Sequence, residues 1–150
     1  MLKYVHPVAA TIGLLTIVTF WTSTVVSELF GSYADIAAVK LAIPWGFLVL
    51  IPALAITGAS GFRMSGRSLH PRIAAKKRRM PFIIGNGVVI LIPAALYLAI
   101  LAEQGEFGTW FYIVQAIELV AGAINITLMG LNFRDGLRLS GRLPELSMQR

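Results

Sequence analysis

The 150-residue chain predicts an all-α integral membrane protein: a single-domain, four-helix transmembrane bundle. Three observations carry that prediction. Hydrophobic residues make up 57% of the chain and charged residues 13%, about half the ~25% charge that a soluble domain uses to cover its surface. The mean hydropathy is +0.76. Four apolar runs reach the ~20 residues that a helix needs to cross a bilayer, and the basic residues gather on one side of those runs. The absence of cysteine argues against a disulfide scaffold or a thiolate metal site.

The runs cover residues 8–27, 36–59, 82–102 and 109–133. Lipid offers no water to backbone N–H and C=O groups, so a run of this length must be helical. Barrel strands would alternate, and Val88-Val89-Ile90-Leu91-Ile92 does not. The first run ends Ser27-Glu28-Leu29-Phe30, without the small-residue pattern of a signal-peptide cleavage site, so it reads as a retained helix.

Orientation follows from charge. Of 13 Lys and Arg, 12 flank the runs on one side, namely Lys3, eleven between Arg63 and Arg150, and none from the two short acidic turns. Those turns hold Glu28 and Asp35, then Glu103 and Glu106. The positive-inside rule places both termini and the basic loop 60–80 in the cytoplasm of a bacterial-type inner (plasma) membrane. The loop reads as a partly helical, amphipathic segment lying on anionic lipid heads. Lipid accounts for the net charge of +6 without nucleic acid.

A weak 2+2 internal repeat is legible. His6-Pro7 and His70-Pro71 open the halves, and Phe62-Arg63 and Phe133-Arg134 close them. Because both halves enter and leave on the same side, a repeat axis would lie along the membrane normal.

Two constellations could carry chemistry. His6 and His70 each precede a proline, which favours helix starts. As neutral imidazoles they suit axial ligation of a b-type haem, with Arg63, Arg67, Arg72 and Lys76 available to its propionates. His70 lies about eleven residues before Pro81, so a straight helix there would set it roughly 16 Å outside the lipid. The ring could then meet His6 only if the segment folded back along the interface.

The second constellation centres on Glu118, nine residues into the fourth run and so roughly 13 Å deep. An ionised carboxylate at that depth must face protein, water or ligand. Gln115, Gly122 and Asn125 share its helical face, with Asn132 beyond, and Asn86 offers a partner on the third helix. The amides also suit plain helix–helix packing. Lys40, the lone cation near the acidic turns, can snorkel outward or pair with Glu28, Asp35 or Glu118.

In architecture alone the chain resembles membrane b-type cytochromes, which carry ligand histidines at mid-depth where this chain has none. Small four-span multidrug exporters depend on one membrane carboxylate in the first helix, whereas here it lies in the fourth. Three functions therefore stand open: a haem-binding or quinone-facing electron-transfer protein, an accessory or assembly subunit of a larger membrane complex, and a proton-coupled small-solute transporter using Glu118. A bundle this thin is expected to form a homo-oligomer or join a larger complex.

Overall fold

The structure, a computed structural model, describes residues 2–66 and 70–141. They form α1 (Leu2–Phe30), α2 (Tyr33–Ser65), α3 (Pro71–Asn86), a π-helical turn (Gly87–Leu91), α4 (Ile92–Glu103) and α5 (Thr109–Leu139). Four helical rods are long and apolar enough to cross a membrane: Tyr4–Phe30, Tyr33–Ser65, Pro71–Glu103 and Thr109–Leu139. Every rod outlasts the apolar run that marked it, because hydropathy locates the lipid-facing part of a helix and not its caps. Large apolar side chains such as Trp45, Leu48, Phe82 and Val120 point outward, as expected where lipid replaces water as solvent.

The turn between α1 and α2 is only two residues long. A side chain at Gly31 would meet the Ser27 carbonyl oxygen at 2.6 Å, so the turn requires glycine. Ser32 then caps α2 through a reciprocal box with Asp35: the Ser32 N–H donates to Asp35 Oδ2 at 2.8 Å, and the Asp35 N–H donates to Ser32 Oγ at 3.4 Å.

At the other end of the bundle, the segment expected as a partly helical piece on the lipid surface is mostly helix and is held to protein. Helix α2 continues to Ser65, and α3 begins at Pro71 behind an N-cap at His70. Ala74, Ala75 and the following Lys and Arg are strong helix formers, and two cations anchor the segment to protein. Lys77 Nζ donates to the Gly66 carbonyl at 2.8 Å, and Arg79 Nη1 to Asp135 at 2.7 Å. Helix α1 likewise starts at Leu2, so His6 lies in its second turn and not at its start.

The π turn lies one residue before Pro93. Proline has no N–H to return to Val89, and the Ile92 N–H bonds instead to the Gly87 carbonyl, five residues back. Helix α5 is the polar spine of the bundle. Its buried residues are Phe111, Gln115, Ala121, Gly122, Asn125, Asn132 and Asp135. Near the acidic turns, Phe111 packs with Ile36, Leu98, Leu101 and Ala102 in a small apolar core.

Candidate functional site

The polar face of α5 meets α2 and α1 at the acidic end and α3 further along. At the acidic end, Lys40 of α2 forms a salt bridge with Glu118. Lys40 is 1% exposed and the Glu118 side chain 12%, so the lysine does not snorkel. One of the three partners offered by the sequence is selected, and it is the deepest. Three residues earlier on the same face, Gln115 Nε2 donates to Glu28 Oε1 of α1 at 2.5 Å. Glu28 also lies within electrostatic reach of Lys40. Three helices thus contribute to one cluster of two carboxylates, one ammonium and one amide.

One turn further along α5, the polar chain is interrupted. Trp21 of α1 sets the Cδ1 edge of its indole against Gly122, where a Cβ would stand 2.9 Å from Cδ1. The indole Nε1 donates to the Leu119 carbonyl at 2.9 Å. Beyond this plug, Asn86 Nδ2 donates to the Ala121 carbonyl at 2.8 Å and to Asn125 Oδ1 at 2.9 Å. Asn125 Nδ2 donates to the Ile83 carbonyl at 3.3 Å. These amides satisfy one another and the backbone, which is the packing role open to them from the sequence.

At the basic end, Asp135 accepts from Arg79 Nη1 at 2.7 Å and faces Arg134 Nη2 at 3.5 Å. Arg79 also donates to Asn132 Oδ1 at 3.2 Å. Lys76 approaches Gly136 closely: a Cβ there would be 3.5 Å from its Nζ. On the α1 side, His6 Nδ1 lies 3.0 Å from Ser60 Oγ, and its ring covers Gly61. Ser60 donates its own proton to the Ile56 carbonyl at 2.5 Å. The bond to His6 is therefore donated by Nδ1–H, which leaves the Nε2 lone pair unused by Ser60.

The two histidines occupy different levels. Trp21 matches Leu119 in depth. Fifteen residues back on α1 therefore brings His6 level with Asp135, sixteen residues on along α5. Arg79 is also at that level. His70 precedes Arg79 by nine residues, about 14 Å further toward the basic end at 1.5 Å per residue. There it caps α3, its Nδ1 accepting the Arg72 N–H at 3.3 Å. Among the described residues, His6 and His70 share no hydrogen bond. Of the arginines offered to propionates, Arg63 is exposed in the last turn of α2 and Arg72 is half-buried in the first turn of α3. Arg67 lies outside the described residues.

Two contributors, Asp135 and Trp21, were not singled out from sequence, and the role of a third was read only in part. Asp135 continues the α5 stripe three residues after Asn132, a spacing sufficient to find it. Glu28 is offered by the sequence as a turn acid and a partner for Lys40, but not as the partner of Gln115, although it lies in the last turn of α1. Trp21 gave no signal, because nothing in one sequence pairs it with Gly122. Comparison with protein-family models, with characterised proteins and with solved structures finds no match.

Proposed function

We propose that the protein is a proton-coupled carrier for a small solute in the bacterial inner membrane, with Glu118 as the proton-carrying carboxylate. The observation that carries this reading is the buried Lys40–Glu118 pair, set beside a second carboxylate, Glu28, that Lys40 can also feel. A proton on Glu118 removes the charge that holds Lys40, and the ammonium then has Glu28 as its alternative partner. The exchange releases the side-chain link from α2 to α5 and moves it to α1, on which α2 already packs, giving two states of the bundle that differ by one proton.

The Trp21–Gly122 contact supports a carrier over a channel. It separates the acidic-end cluster from the Asn86–Asn125 and Arg79–Asp135 groups, so the polar face is not a continuous wire. In this reading both termini face the cytoplasm, by the distribution of positive charge. A second copy completes the pathway that four thin helices do not enclose.

The test is solute-driven proton movement in pyranine-loaded proteoliposomes, across a panel of amines, amino acids and sugars. Glu118→Gln should abolish the movement and His6→Ala should leave it unchanged. Wild-type movement by Glu118→Gln would overturn the reading.

A second reading rests on His6 alone. With Nδ1 held by Ser60, its Nε2 lone pair suits an axial haem ligand, and Lys76 and Arg79 are cations at the same level for propionates. An absorption spectrum before and after dithionite decides it: a Soret band lost in His6→Ala supports haem, and full retention refutes it.

A further inference from the structure

At the basic end of α5 the cations outnumber the acids. Asp135 accepts from Arg79 at one oxygen and faces Arg134 at the other, and Lys76 lies within its electrostatic reach. Arg138 follows one turn later on the same helix. It is half-buried, and helical side chains lean back toward the N-terminus, which carries its guanidinium toward Arg134 and Asp135. Both Asp135 oxygens are already engaged. Among the described residues the Arg138 Nε, closed off from solvent, has no acceptor, while the terminal nitrogens stay open. Lys76, Arg79, Arg134 and Arg138 thus share one carboxylate, and no acid of the described residues compensates the charge on Arg138.

Arg134 and Arg138 also end a stripe. They follow Val120, Ile124, Thr127 and Leu131 at alternating spacings of four and three, so all lie on one face of α5. Val120, Ile124 and Thr127 are exposed and Leu131 is half-buried, and the Thr127 hydroxyl is spent on the Ala123 carbonyl. The face is therefore apolar through the membrane and doubly cationic just past residue 133, where the apolar run ends and headgroups begin. We propose that Arg134 and Arg138 bind the phosphate of an anionic phospholipid whose acyl chains lie along this stripe. Guanidinium forks take phosphate oxygens in pairs, and basic pockets between helices on the cytoplasmic side suit such headgroups. A free phosphate would use the arginines and leave the stripe unused. A second copy set on this face by a two-fold axis along the membrane normal would bring its own arginines against these, and the like charges oppose it. The site needs the chain to lie in a membrane and does not depend on the carrier reading.

Thermal unfolding of the protein in dodecyl maltoside is followed by tryptophan fluorescence while phosphatidylglycerol is added to the micelles. The midpoint should rise saturably, and phosphatidylcholine with the same chains should not raise it. Arg134→Gln and Arg138→Gln should each raise the half-saturating lipid fraction about tenfold or more. Arg78→Gln removes the same charge from an exposed position on α3 and should leave that fraction unchanged. Equal midpoints with the two lipids would overturn the site, as would unchanged half-saturation in Arg138→Gln. Equal weakening by Arg78→Gln would mark a diffuse attraction to the basic end and overturn it too. A rise produced by inorganic phosphate without lipid would assign the arginines to a soluble anion and overturn the lipid. Should Arg134→Gln not fold once its contact with Asp135 is lost, Arg138→Gln is read on its own. A protein that binds phosphatidylglycerol in this way but moves no protons would refute the carrier and leave this site standing.

Discussion

Replacing Lys40 with methionine removes one ammonium and leaves most of the side-chain volume in place. The lysine is 1% exposed, and Glu118 has no second cation bonded to it among the described residues. The variant therefore keeps a carboxylate about 13 Å deep in the bundle without its partner. Removing one member of a buried pair costs about 3–5 kcal/mol, and insertion scales place an unpaired charge at mid-membrane at ~2.5–3.5 kcal/mol. Both routes agree on a loss of about 3 kcal/mol. The loss should shrink as the pH falls, because a proton taken up by the orphaned carboxylate removes the charge. The double variant Lys40→Met with Glu118→Leu carries no charge to bury, and should return to within about 1 kcal/mol of the wild type or exceed it. Reversible unfolding in mixed micelles with increasing SDS measures all four corners of the cycle. A single-variant loss below 1 kcal/mol, or a double variant no better than Lys40→Met, would refute the buried pair. Proton movement by the recovered double variant would refute its role in transport.

Other expectations test the remaining levels of α5. Arg79→Met should cost less than Lys40→Met in the same unfolding assay, because Arg134 still faces Asp135 at 3.5 Å. Equal losses would show that Arg134 contributes nothing. Gly122→Ala places a methyl 2.9 Å from Trp21 Cδ1 and should cost about 1–3 kcal/mol by overpacking, with a shift in tryptophan emission as the bond to Leu119 is strained. An unchanged spectrum and midpoint would remove the plug. The chain has no cysteine, so single cysteines report orientation without background. Gln104→Cys should react with an impermeant maleimide added to whole spheroplasts and Ser140→Cys should not, and the reverse pattern would invert the topology.

Composition and charge placement were enough to predict the all-helical bundle, because lipid permits few backbone solutions to four long apolar runs. The same physics marked Glu118 and Lys40 as residues that must find partners, and the helical period placed Gln115, Asn125 and Asn132 on one face of α5. Which partner each would take was not legible. Glu28, Asp35 and Glu118 were all eligible for Lys40, and the choice depends on where the packing of α2 on α1 and α4 leaves Lys40 relative to α5. Helix ends were also beyond hydropathy. The segment after Pro71 reads as only partly helical on the lipid surface, whereas it is continuous helix anchored to the bundle, with Arg79 reaching Asp135, 56 residues away. That same continuous helix sets His70 about 14 Å beyond the level of His6, although the two His-Pro pairs look equivalent in sequence. Local pattern and solvent decide which stretches are helices and which faces are polar. The pairing of those faces depends on long-range packing, and only the tertiary structure supplies it.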